Sequence, residues 1–190
     1  VYWRSCENNY PSFELNSTNQ KQSLDSLNEI LRVGNWEKFH NSDDLIVDWI
    51  ITRRCNYNCN YCSVYNNKTG TFIPLEKLKK VVDSFANLPN RRITFHLSGG
   101  EPTFHPDYFS FIEYCLMKLR ERVVIRTQTN LSRNLSFYKA IVEKFRGQLS
   151  QLFFIATFHF EFANKEKFLE IVKFLNDSGV SVLFNLGADP

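Results

Sequence analysis

The sequence lacks any apolar run long enough to cross a bilayer. A membrane-spanning helix needs about 20 consecutive apolar residues, whereas a run such as Leu152–Phe158 has the length of a buried strand. It also lacks a strong charge. Lys and Arg number 23 against 20 acidic residues, and a net charge of +3 is too small to argue for nucleic acid or an anionic membrane as partner. No signal peptide is visible, since the N-terminal residues are polar and interrupted. There is no internal repeat and no low-complexity tract. What is present is the composition of a soluble globular protein: 43% hydrophobic, 23% charged, with 18 Phe in 190 residues. That length supports one sizeable core.

Cysteine is sparse, and its placement is uneven. Three of the five cysteines, Cys55, Cys59 and Cys62, fall within eight positions as C-x-x-x-C-x-x-C, directly after the apolar run Leu45–Ile51. Such a run reads as a buried strand, so the thiols sit on the loop leaving its C-terminal end. A short polar loop cannot bury three thiols as small hydrophobes, and this spacing lets them converge on one centre. Iron–sulfur clusters are held by Cys thiolates, normally four; three leave one iron open for chemistry. Cys6 and Cys115 are isolated, and Cys115 falls on the apolar face of a helical segment as a packing residue. A grouped triple with two scattered singles fits a reducing, cytoplasmic setting.

From Leu45 the chain alternates between strand and helix. Strand-like runs cover Leu45–Thr52, Arg92–Leu97, Val123–Thr129, Leu152–Thr157 and Val180–Leu186. Helical spacing marks the segments between them: Leu75, Leu78, Val82, Phe85; Phe111, Ile112, Cys115, Leu119; Ile141, Val142, Phe145; and Phe168, Ile171, Val172, Leu175. Pro74 and Pro106 suit first-turn positions, and Gly147 and Gly179 suit helix stops. This alternation calls for a parallel sheet, whose ligands bind outside the carboxyl ends of the strands. Residues 1–44 are read as an N-terminal extension with one short helix near Leu24–Leu31, and residues 45–190 as the core domain. A start at Val1 and a stop directly after a strand-like run lead us to expect a piece of a longer protein, truncated at its C-terminus.

The second strand is followed by Ser98-Gly99-Gly100-Glu101-Pro102-Thr103-Phe104-His105-Pro106. Two glycines let backbone turn tightly and approach a ligand where a Cβ would intrude. The cysteine triple, with Tyr61 before its last member, and this Gly-Gly-Glu-Pro together resemble the signature of the radical S-adenosylmethionine (SAM) enzymes. The resemblance covers Leu45 to about Leu186. It implies an α/β fold, a partial (β/α)6 TIM-like barrel of which five strand units are visible. It also implies that Cys55, Cys59 and Cys62 ligate a 4Fe-4S cluster whose fourth iron binds SAM, and that Gly99, Gly100, Glu101 and Pro102 line the site of the SAM amino group. Asn130, after the third strand, is either a capping residue or a SAM-facing one; family members often carry T-N-G here, and this chain has Leu131 in place of the Gly. Thr157, ending the fourth strand, matches a Ser or Thr that contacts SAM in the family. His159 and Glu161 are substrate-side candidates, with a solvated or structural histidine as the alternative for His159. Asn185 either reaches adenosine or satisfies backbone groups.

The activity implied is reductive cleavage of SAM to methionine and a 5′-deoxyadenosyl radical that abstracts hydrogen from a substrate the sequence does not identify. A one-electron donor such as flavodoxin or ferredoxin is the implied partner. Two rivals stand beside it: a non-catalytic metal-binding module, and a degenerate homologue without turnover. Zinc would want a fourth Cys or His at finger-like spacing, and no C-x-x-C partner exists.

Overall fold

A computed structural model describes residues 44–62, 70–88 and 92–187. The helix expected near Leu24–Leu31, and Cys6, lie outside the described residues. Five strands form one sheet: β1 (Asp44–Thr52), β2 (Arg92–Gly99), β3 (Val123–Thr129), β4 (Leu152–His159) and β5 (Ser181–Gly187). Four helices alternate with them: α1 (Leu75–Ala86), α2 (Tyr108–Leu119), α3 (Leu135–Lys144) and α4 (Lys165–Asp177). Every neighbouring pair is parallel, and the order across the sheet is the order along the chain. A doubly wound sheet would reverse direction partway; this one never does, which is the progression of a barrel wall. None of the described helices is long and apolar enough to cross a membrane.

The period-two pattern decides which face meets the helices. In β2, Ile93, Phe95 and Leu97 are fully buried and alternate with Thr94, His96 and Ser98. Burying each such side chain is worth about 1.5–3 kcal/mol, so a one-residue slip is opposed by several kcal/mol. In β1, Trp49 turns the same way and meets Phe95 and Phe111 edge-on, at 5.5 and 5.3 Å between ring centroids. The helices answer with their own stripes: Leu78 and Val82 on α1, Phe111, Ile112, Cys115 and Leu119 on α2, and Phe168, Ile171 and Leu175 on α4. Cys115 belongs to this core, as expected.

Some helix boundaries differ from the sequence reading. Pro74 is the N-cap of α1, and Pro106 lies just ahead of Asp107, the N-cap of α2. Both prolines therefore precede the first turn, where the restricted residue before a proline still falls in extended backbone. Gly147 lies inside a 3-10 segment, Arg146–Gln151, that follows α3. Gly179 stops α4 as expected, with a φ of +85° that glycine adopts without strain.

The sheet face away from the helices carries Ile46, Asp48 and Ile50 from β1, then Thr94, His96, Arg126, Gln128, Thr157 and Asn185 along the other strands. On β5, Leu183, Phe184 and Leu186 are each more than half exposed.

Candidate functional site

The loops leaving β1, β2 and β3 are bonded into one unit. The cysteine loop begins at Arg53, and the Gly99-Gly100-Glu101 turn packs directly on its first residues. Gly100 N–H donates to Thr52 O at 2.9 Å, and Glu101 N–H donates to Arg54 O at 2.7 Å. A Cβ on Gly99 would stand 1.9 Å from Thr52 O, and one on Gly100 2.1 Å from Arg54 O. Gly99 also has a φ of +129°, a conformation open to glycine. The sequence reading expected these glycines to spare room for a ligand. What they spare room for here is the backbone of the cysteine loop.

Glu101 is 1% exposed, and its carboxylate is turned inward. Oε1 accepts from Thr103 N–H at 3.2 Å, from Thr103 Oγ1 at 2.5 Å and from Thr129 Oγ1 at 2.7 Å; Oε2 accepts from Asn130 N–H at 2.7 Å. Burial pushes this carboxyl up from its ordinary value, against the pull of the Asn130 and Thr103 donors. Glu101 thus ties the end of β3 to the turn after β2. Glu101→Ala leaves four donors facing an apolar methyl group. Unmet buried groups carry about 1–3 kcal/mol each before relaxation, so denaturant unfolding should show a loss of about 3 kcal/mol. A Glu101→Ala protein as stable as the parent would remove the carboxylate from this role.

Asn130 continues the chain of contacts. Its Nδ2 donates to Asn56 Oδ1 at 3.0 Å and lies 3.9 Å from Cys55 Sγ, while its Oδ1 accepts from Ser132 N–H at 3.0 Å. It therefore braces the cysteine loop and the turn after β3 together. The next residue, Leu131, has a φ of +52°. For a non-glycine residue this costs about 1–2 kcal/mol. Leu131 is also 2% exposed, and burial of its side chain returns about 1.5–3 kcal/mol. The missing glycine of the T-N-G pattern is thus offset by packing, with the backbone still left-handed.

The three cysteines are reduced and differ in surroundings. Cys55 is half-buried, accepts from Tyr57 N–H at 3.4 Å, and burial pushes its thiol up to about 11. Cys59 Sγ lies 3.4 Å from His159 Nδ1, and burial raises its thiol as well. Cys62 is exposed; its N–H donates to Cys59 O at 3.1 Å. Among the described residues no three metal-ligating side chains are gathered into one coordination sphere. Cys55 turns to Asn130 and Cys59 to His159, so these two thiols each have a side-chain neighbour of their own, while Cys62 is exposed.

The far end of the loop is held by Tyr61. Its Oη lies 2.6 Å from His159 Nδ1 and donates to Gly187 O at 3.1 Å, with the two rings stacked at 6.0 Å. Burial lowers the His159 imidazole, against the nearby Glu161 charge. Thr157 faces the helix-free side beside Asn185, its register partner on β5. Its Oγ1 is buried and has no hydrogen-bond partner. Glu161 is exposed on the loop after β4. The structure thus links Cys55, Gly99, Gly100, Glu101 and Asn130 through one set of contacts, with Pro102 next to Glu101 in the same turn, while Cys59 lies apart from that set against His159 and Thr157 and Asn185 stand at the ends of β4 and β5. Sequence reasoning missed the roles of Thr103, Thr129, Asn56 and Gly187, which appear only once β1 to β5 are aligned.

Residues 49–190 match the profile of the Radical SAM superfamily. The GTP 3′,8-cyclase of Pasteurella multocida is 37% identical over 67 residues, 33% of this chain and 19% of that enzyme. The S-adenosylmethionine-dependent nucleotide dehydratase of Oncorhynchus mykiss is 33% identical over 72 residues, 36% of this chain and 20% of that enzyme. The chain thus matches about a fifth of the length of these curated relatives. Among solved structures, anSMEcpe with bound AdoMet aligns at a TM-score of 0.56 and 17% identity, over 75% of this chain and 43% of that one. SuiB of Streptococcus suis bound to S-adenosylmethionine gives 0.54 and 15%, over 95% and 40%. These structures share the fold, and the profile takes in the sheet from Trp49 onward together with all three loops bonded above it. The chain belongs to the radical SAM superfamily.

Proposed function

We propose that residues 45–190 form the SAM-binding and SAM-cleaving core of a radical SAM enzyme, acting in the cytoplasm, with residues 1–44 as an extension to it. The observation that carries this reading is the bonding of the cysteine loop to the Gly99–Glu101 turn and to Asn130. It couples a metal-holding loop to two neighbouring strand ends, where small molecules bind in parallel α/β sheets. The residues fit the implied groups. Three reduced thiols on one loop are the donor type that iron–sulfur clusters take. The orphaned Thr157 hydroxyl, at a strand end on the helix-free face, is a buried polar atom awaiting a ligand.

In this reading Cys55, Cys59 and Cys62 would hold a 4Fe-4S cluster, and that group, with a one-electron donor such as a flavodoxin or ferredoxin as partner, would supply the chemistry for reductive cleavage of SAM to methionine and a 5′-deoxyadenosyl radical. The chain's own residues do the rest. Backbone groups of Gly99, Gly100, Glu101 and Pro102 receive the amino end of SAM, and Glu101 keeps that turn rigid from beneath. Thr157 and Asn185 bind polar groups at the ends of β4 and β5. Asn130 fixes the start of the cysteine loop, while Tyr61 and His159 fix its far end. Tyr57 on the cysteine loop stacks on Phe162, beyond the end of β4, at 5.2 Å.

Anaerobically reconstituted protein, reduced and given SAM, should release 5′-deoxyadenosine and methionine, read by chromatography. Protein that holds iron yet leaves SAM intact under those conditions would overturn the catalytic reading and leave a binding module.

A further inference from the structure

A charged row crosses the helix-free face of the sheet below the strand ends. Strand register sets Asp48 beside His96, His96 beside Arg126, and Arg126 beside Phe153. His96 Nδ1 lies 2.6 Å from Asp48 Oδ1, so that carboxylate already has its partner. The opposite ring nitrogen, His96 Nε2, is buried and has no hydrogen-bond partner. Arg126 is half-buried, with its guanidinium 5.7 Å over the Phe153 ring. Among the described residues it makes no hydrogen bond and no ion pair. Between this row and the strand ends the same face carries Ile50, Ser98, Gln128, Ile155 and Leu183, none of them charged.

A half-buried cation without an anion is unfavourable, because it has lost part of its hydration and gained nothing for it. The guanidinium is planar and presents paired donors that match a carboxylate or a phosphate. Phe153 holds that plane in place, and His96, fixed by Asp48, presents its unpartnered Nε2 on the same face. Thr129, the last residue of β3, is three residues beyond Arg126, which is about 10 Å along a strand.

We propose that Arg126, with His96 beside it, binds an acidic group of the substrate, a carboxylate or a phosphate, about 10 Å below the strand ends. The proposal rests on the SAM-cleaving reading for what happens at the other end of that substrate. It predicts an elongated molecule, with its acidic end on this row, an uncharged middle against Ile50, Gln128 and Ile155, and its reacting end at the loops.

The test is calorimetric titration of reconstituted, SAM-saturated protein with inorganic pyrophosphate and, separately, with succinate. One of the two should bind at a single site, and which one distinguishes phosphate from carboxylate. Arg126→Gln should weaken that binding at least tenfold, Arg126→Lys less, and both should keep the parent's iron content and SAM affinity. Failure of both probes to bind the parent, or unchanged affinity in Arg126→Gln, overturns the proposal. Loss of SAM affinity in Arg126→Gln would also overturn it, assigning the guanidinium to SAM itself. The same titration on reconstituted protein without added SAM separates the two readings. A reconstituted parent that takes up no SAM but still binds a probe through Arg126 would keep the anion site and discard SAM cleavage.

Discussion

Replacing Gly100 by alanine should strip the protein of iron as well as of SAM binding. The added Cβ would lie 2.1 Å from Arg54 O, 2.4 Å from Arg54 C and 2.8 Å from Arg53 C. None of these is the tip of a flexible side chain; all three are backbone at the root of the cysteine loop. In an interior packed at crystal density, relief requires the loop and the turn to part, breaking the Gly100–Thr52 and Glu101–Arg54 hydrogen bonds. Overpacking of this kind costs about 1–3 kcal/mol, and here the displaced element is the one that carries the thiols. Iron bound after reconstitution should fall at least tenfold, and calorimetry should show no SAM binding. Gly99→Ala should do the same, since it adds a strained φ to a 1.9 Å contact. A Gly100→Ala protein with full iron and weakened SAM affinity alone would confine this glycine to the ligand-facing role and remove it from support of the cysteine loop.

Loss of any one loop cysteine should be equally severe. Cys55→Ala, Cys59→Ala and Cys62→Ala each remove one of three thiolates, and a cluster held by the remaining two should be lost during desalting. Iron and sulfide analysis with an absorption spectrum checks this. Cys115→Ala is the control. Its thiol is buried on α2, among core side chains and away from the loop, so iron should be unchanged and stability slightly lower. Cys6→Ala should likewise leave iron unchanged. Full iron in Cys59→Ala would sink the assignment of the loop.

The strands and helices were legible because each is amphipathic at its own period. Phe95 between Thr94 and His96, or Ile171 four residues before Leu175, declares its face without help from the rest of the chain. The cysteine spacing and the Gly-Gly-Glu-Pro were legible as local patterns. The destination of each side chain was not. Nothing near Glu101 in sequence says that its carboxylate accepts from Thr129 and Asn130, because those donors arrive from the next strand. Gly99 and Gly100 read as turn residues, but what they avoid is decided by β1, more than forty positions earlier. Leu131 shows the converse: a residue that breaks the local pattern while the backbone keeps its left-handed form.

Tyr61 reaches from the cysteine loop to the last residue of β5, 126 positions along the chain. Thermodynamic linkage makes such a tie reciprocal. If the bond to Gly187 helps to order the loop for metal, then metal on the loop must help to order β5 by the same free energy. The most exposed strand of the sheet would then be a beneficiary of the proposed cluster, and metal loading and the completion of folding would be one event, read at opposite ends of the domain.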